Sequence, residues 1–362
     1  MTIEKARNNF SDSYPEARQR FLETATGAKV TSYRHPLVGS DGGELATDVV
    51  RIGTPLARNI LGIGSGTHGV EGYCGSGIQT ALLTEAMASD LPDDMAFVFI
   101  HAINPWGFAW DRRVNEDNVD LNRNFVDHTA PYPENPGYED IYEAVNPADL
   151  SDETLKSGRK IMKAYIQKHG APALQHALSG GQYTYPEGVQ FGGTKPVWSN
   201  TTLRQIIRNE MSKAEHIVYI DIHSGLGVRA QGEVISTSAE TSPVYKRLHA
   251  LWGDIVHSTK AEGSVSSNVL GSITEAFEAE LSPRKVSPCG LEFGTVEMNL
   301  VAAALVADNW LHHHGGLNNP QAFAIKKQIR DAFYIDADDW KEEVTQQSRD
   351  LVQRVLETFR DQ

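Results

Sequence analysis

Four short apolar runs, three of them closing at glycine or on a polar side chain near it, constrain this chain more than any other feature. They are Asn59 to Gly64 (NILGIG), Ala96 to Ile100 (AFVFI), His216 to His223 (HIVYIDIH) and Gly290 to Phe293 (GLEF). Strands apolar on consecutive residues are buried on both faces, and such strands belong to parallel sheets covered by helices. Helical spacing follows the first run through Ile78, Leu82, Leu83 and Met87 and returns over 151–178. After residue 315 it forms apolar stripes, Ile325, Ile329 and Phe333, then Leu351, Val355 and Phe359. Lys29 to Leu37 reads as an additional strand in an entry layer. The expected architecture is α/β: a single domain over 1–362, with a mostly parallel, twisted mixed sheet and helices on both faces. Ligands of such sheets bind beyond the carboxyl ends of the strands.

Charge and composition remove several function classes. The formal charge of −14 disfavours phosphate backbones and anionic membrane surfaces as partners. Met1 to Phe10 (MTIEKARNNF) lacks an apolar stretch of signal-peptide length, and no later segment approaches the ~20 apolar residues of a membrane helix. The reading is therefore a cytoplasmic protein with no nucleic-acid or membrane partner. Two cysteines, Cys74 and Cys289, cannot form a disulfide framework and read as buried small side chains.

The chemistry gathers at the ends of the apolar runs. His68-Gly-Val-Glu71 follows the first, and His223 and Glu292 close the third and fourth. Two imidazoles and a carboxylate leave a zinc ion one open position for water, and a separate carboxylate can take that water's proton. His68, Glu71 and His223 are the candidate ligands and Glu292 the candidate base. Glycines at 62, 64, 66, 69 and 72 put the His-Glu pair on a tight loop after a strand. Gly64, Gly66 and Gly69 also spell GxGxxG, but Asp90 and Asp93, near the required distance for a ribose-binding acid, precede the next strand rather than end it. A dinucleotide site is not expected. His312, His313 and His314 are consecutive and cannot converge on one ion, and His101 reads as structural. Gly180 to Asn200, rich in glycine and aromatics, reads as a pocket wall.

With HxxE, an arginine, Asp120-Leu-Asn-Arg-Asn-Phe125, IDIHSG and a glutamate on a late strand in this order, the sequence resembles the zinc carboxypeptidases of the carboxypeptidase A superfamily. The motifs GTHGVEG, NPWGF and RRVNEDNVDLNRNF are similar to an uncharacterised bacterial branch of it. The resemblance implies that His68, Glu71 and His223 hold zinc, that Asp120 orients the first histidine, and that Asn122 and Arg123 hold the substrate's terminal carboxylate. It implies Glu292 as general base and, because the family places it in the loop before DLNRNF, Arg113 ahead of the adjacent Arg112 as the arginine that polarises the scissile carbonyl. The family's mobile active-site tyrosine has no clear counterpart. Only Tyr245 lies between His223 and Glu292, which leaves Tyr183 or Tyr185 in the Gly-rich loop as substitutes. The implied activity is a metallocarboxypeptidase acting on small peptides or peptide-like amides. A zinc deacylase of N-acyl amino acids, resembling succinylglutamate desuccinylases and aspartoacylases, is the alternative. Those deacylases carry a β-rich extension after the glutamate, whereas the sequence after Glu292 reads as helical.

Overall fold

The computed structural model describes residues 8–261 and 269–361; residues 1–7, over which most of the MTIEKARNNF reading runs, lie outside them. Eight strands form one mixed sheet in the order β1-β2-β4-β3-β5-β8-β6-β7. Its centre is β4 (Met95–His101), β3 (Asn59–Ser65), β5 (His216–Arg229) and β8 (Lys285–Gly294), the four expected runs, all parallel. Outside them, β1 (Lys29–Val38) and β2 (Glu44–Gly53) add antiparallel pairings on one side. On the other, β6 (Gly232–Ser236) runs antiparallel to β8, and β7 (Val256–Ser258) runs parallel to β6.

Side chains alternate between two cores, as the pleat requires. Phe97, Phe99, Val218, Ile220 and Ile222 face a core with α1 (Tyr14–Thr24), α2 (Gly72–Ala88) and the C-terminal helices, which supply Ile329 and Val355. Ala96, Val98, Ile100, Ile217 and Tyr219 face the other, against α7 (Trp198–Met211) and α9 (Ile273–Leu281). Helices therefore cover both faces. Between β4 and α7 lie α3 (Pro105–Ala109), the arginine loop, and a helical excursion of α4 (Pro136–Val145), α5 (Asp152–His169) and α6 (Ala171–Ser179). The remaining helices are α8 (Pro243–Trp252), α10 (Met298–His313), α11 (Ala322–Phe333) and α12 (Asp338–Arg360), so the residues after β8 are helical, as expected. Among the described residues no helix is long and apolar enough to cross a membrane.

Two glycines show why the motif loop needs its spacing. A β-carbon on Gly64 would lie 2.0 Å from the Tyr219 hydroxyl, which crosses this point to reach Asp221. One on Gly69 would lie 2.0 Å from the carbonyl carbon of Gly107, so the HxxE turn rests directly on the backbone of the NPWGF segment. The third glycine of GxGxxG is thus consumed by internal packing.

Candidate metal centre

β3 stops at Ser65, and Gly66, at φ +66°, turns the chain so that His68 precedes a single helical turn, Gly69–Glu71. That turn is tied to the arginine loop: Gly69 N donates to Arg113 O (3.0 Å) and Val70 N to Arg112 O (2.9 Å). β5 carries His223 to the same end of the sheet, and the parallel register sets Glu292 of β8 opposite it. Strand ends thus deliver two residues and a loop the other two.

The side chains converge. One ligand atom from each of His68, Glu71 and His223 lies within 4.8 Å of the others, and all three residues are buried. His68 Nδ1 is 2.9 Å from Glu71 Oε1 without hydrogen-bond geometry and has no hydrogen-bond partner, while His223 Nδ1 is 2.8 Å from Glu71 Oε2. Each ring's far nitrogen donates to a carboxylate, His68 Nε2 to Asp120 Oδ1 (3.1 Å) and His223 Nε2 to Asp221 Oδ2 (2.7 Å). A carboxylate can only accept, so the Nδ1 edges are the ones turned to the centre. Asp120 also receives Asn122 N (2.9 Å), and Asp221 receives the Thr67 hydroxyl (2.9 Å) and the Tyr219 hydroxyl (3.3 Å).

This donor set fits a zinc-type ion. Two imidazole nitrogens, of which the buried His68 Nδ1 is orphaned, and one carboxylate are what such a cation accepts, and both outer carboxylates fix the tautomer. Charge points the same way: four carboxylates, Glu71, Asp120, Asp221 and Glu292, gather around the two imidazoles beside the guanidiniums of Arg113 and Arg123.

Electrostatics separate the carboxylates. Burial pushes Glu292 up to about 7, with the Glu71 charge adding to it. Glu71 goes the opposite way: burial opposes ionisation, but His68 and His223 hold it well below the usual range. Asp120 is likewise held down, against burial, by Arg113, Arg123 and His68. His223 is raised, again against burial, by Asp221 and Glu71. Glu292 Oε1 accepts Leu226 N (2.9 Å).

The two arginines have different places. Arg113 reaches the centre, donating from Nη1 to Glu71 Oε1 (2.8 Å) and from Nε to Asp120 Oδ2 (3.1 Å). Arg112 turns away to Asp308 and Asn118. Asn122 accepts Ile273 N through Oδ1, and Arg123 is buried, with Nη2 on Ser179 O (2.6 Å), Nη1 on Asn122 O (3.2 Å) and Nε without a partner. Tyr183 donates to Arg123 O (2.6 Å) and stacks on Tyr132; Tyr185 packs with Tyr138 and Tyr142 beside α4. Among the described residues neither hydroxyl is hydrogen-bonded to the His68, Glu71 and His223 trio or to Glu292, and Tyr245 is spent on Val256 O. The Gly-rich loop does wall the site: Phe191 O accepts Asp120 N, and Asn124 pins the loop through Gly192 O, Lys195 O and Val197 N. Sequence reasoning missed Asp221 and Thr67, although a D-x-H pattern on a strand puts both side chains on one face and signals the first.

Residues 10–347 match the family described as "Protein of unknown function (DUF2817)". The chain belongs to the DUF2817 family. No curated protein matches it. Among solved structures, this DUF2817 chain is similar to the carboxypeptidase A from Helicoverpa armigera, at 15% identity over 89% of this chain and 74% of that one, with a TM-score of 0.45. It is similar to thrombin activatable fibrinolysis inhibitor (12% identity, 96% and 73% covered, TM-score 0.47). It is also similar to the succinylglutamate desuccinylase from Chromobacterium violaceum (12%, 89% and 73%, TM-score 0.39).

Proposed function

We propose that this DUF2817 protein is a zinc-dependent hydrolase of amide bonds, acting on small peptides or N-acyl amino acids with a free carboxylate. The observation that carries the reading is the convergence of His68, Glu71 and His223 beside a separate buried carboxylate, Glu292, in register with His223. A zinc ion held by that trio would supply Lewis acidity for a water and for the scissile carbonyl.

The chain's own groups do the rest. Glu292, raised by burial, takes the attacking water's proton and returns it to the departing nitrogen. Arg113, in contact with Glu71, places its positive charge where the carbonyl oxygen becomes negative. Asp120 and Asp221 hold the two imidazoles in the tautomer that leaves Nδ1 free for the metal. Asn122 and Arg123 anchor the substrate's terminal carboxylate, to which Arg123 brings the one nitrogen, Nε, that has no partner within the protein. The mostly helical chain after β8 favours the carboxypeptidase reading over the deacylase one.

Zinc content and hydrolysis of a mixed library of peptides and N-acyl amino acids, followed by product mass, test the proposal. His68→Ala should lose metal and activity together, while Glu292→Gln should keep metal and lose activity by at least a hundredfold. Full activity in Glu292→Gln would overturn the assignment of the base, and free carboxyl-terminal residues rather than free acyl groups among the products would decide between the two substrate classes.

A further inference from the structure

Next to Arg113, a second guanidinium is buried with a nitrogen to spare. Arg112 is 2% exposed and donates from Nε to Asp308 Oδ2 (2.9 Å) and from Nη2 to Asn118 Oδ1 (3.0 Å), but Nη1 has no hydrogen-bond partner. Asp308 is shared, because Lys326 Nζ lies 2.7 Å from its other oxygen. The neighbouring carboxylates are otherwise engaged: Asp111 accepts the Tyr73 hydroxyl (2.6 Å), with the Arg330 guanidinium over that ring, and Glu187 accepts the Tyr142 hydroxyl (2.7 Å). Arg330 is answered by Asp12 (3.3 Å), so Arg112 and Lys326 divide the carboxylate of Asp308 between them and Arg112 keeps Nη1 unmatched. Buried charge of this kind seeks a counter-charge.

The place for one is visible. A cavity of about 20 Å³ is lined by Arg112, Arg113, Gln190, Asn309 and Asp308, whose carboxylate is already taken by Arg112 and Lys326, and it has room for a single oxygen-sized group. Gln190 sits at φ +62°, a conformation that residues with a β-carbon rarely take, and its Oε1 is also buried without a partner. Two orphaned polar groups in one small cavity, beside the arginine assigned to the reacting carbonyl, require an explanation.

We propose that this cavity is an anion subsite: one oxygen of a ligand carboxylate accepts from Arg112 Nη1 and from the Gln190 amide, turned so that its NH₂ faces inward. Arg113 bounds the cavity and Arg123 does not, so the subsite belongs to the acyl side of the scissile amide rather than to the carboxylate anchor. The substrates are then amides whose acyl part is itself acidic. That last step rests on the hydrolase reading above; the anion site rests on the cavity alone.

Isothermal titration of the zinc-loaded protein with α,ω-dicarboxylates of four to six carbons, each paired with the monocarboxylate of equal length, tests the subsite without turnover. At least one dicarboxylate should bind tenfold or more tighter than its monocarboxylate partner. Arg112→Gln, which leaves Asp308 its Lys326 partner, should cut that ratio to within about threefold, and Gln190→Gly, free of strain at positive φ, should reduce it as well. Equal binding across all pairs, the result for a cavity that holds only water, would overturn the proposal, as would a ratio unchanged in both variants. A dicarboxylate preference without any amide hydrolysis would sink the hydrolase reading and leave the subsite standing.

Discussion

At the residue scale, the centre is built from pairs in which one group sets the state of another. The Asp221 side chain accepts from His223 Nε2, Thr67 and Tyr219, and it is completely buried. Asp221→Asn keeps the shape but offers His223 an amide, which no longer fixes the proton on Nε2. Zinc affinity should fall 10- to 100-fold, measured by competition with a chelator, while Asp308→Asn, outside the centre, should leave it unchanged. His68, Glu71, His223, Asp120 and Glu292 were legible in the sequence because motif spacing and strand ends are local signals. The preference for Arg113 over Arg112 came from the resemblance rather than from the residues, since it depends on which guanidinium the loop turns inward, and the expected tyrosine was not legible, since Tyr185 is claimed by aromatic neighbours on α4. His101, expected to be structural, is fully buried, bonded to Ser76 (2.9 Å) and stacked on Phe21. Burial lowers its pKa to about 4 from 6.5, so between those values the unfolded chain binds the extra proton. Stability is therefore present above pH 6.5 and is lost as pH falls toward 4, by about 3 kcal/mol for this group. Urea denaturation of His101→Gln should show that much less loss over the same window; an identical pH slope in both proteins would exclude the histidine as the cause.

At the scale of elements, the four central strands declared themselves because burial on both faces leaves an unbroken apolar run. Of the outer strands only β1 did, as the run from Lys29 to Leu37; β2, β6 and β7 did not. β2 reads ELATDVVRIG, with Thr47, Asp48 and Arg51 interrupting it, because those side chains serve partners elsewhere: Thr47 binds Ala102 O and Asp48 takes the Arg18 guanidinium. β7, three residues long, is below the length at which alternation can be counted, and β6, five residues long, sits near its lower limit. The loop after β3 is the element on which the centre turns, and its packing is backbone against backbone. In Gly69→Ala the new methyl would meet the Gly107 carbonyl carbon at 2.0 Å and Phe108 N at 2.2 Å, atoms that cannot rotate aside. The expected cost is about 3 kcal/mol in chemical denaturation, with zinc affinity reduced because His68 and Glu71 lie on either side of the displaced residue. Gly253→Ala, whose methyl meets nothing within 4 Å, is the control for loss of glycine alone, although its φ of +66° carries a strain of its own.

At the scale of the whole molecule, folding draws together groups that repel. Glu71, Asp120, Asp221 and Glu292 come from β3's loop, the arginine loop, β5 and β8, segments separated by up to 221 positions between Glu71 and Glu292 (292 − 71), and the guanidiniums of Arg113 and Arg123 and the His223 imidazole answer them in part. The unfolded chain scatters these charges and has no preformed site, so a divalent cation that binds the trio binds the folded state selectively and stabilises it by mass action. At a free zinc concentration about 100 times the dissociation constant the gain is about 2.7 kcal/mol. With an unfolding entropy of about 2.1 cal/mol/K per residue over 362 residues, that raises Tm by about 3–4 °C. Calorimetric scans across a zinc series should show Tm climbing with the logarithm of concentration once the site is saturated, and the climb should vanish in His68→Ala. A Tm independent of zinc in the wild-type protein, or an equal rise in that variant, would mean that the carboxylates are neutralised by protons rather than by metal, and the sheet's carboxyl end would then have to be read as an acid-stabilised pocket instead of a metal centre.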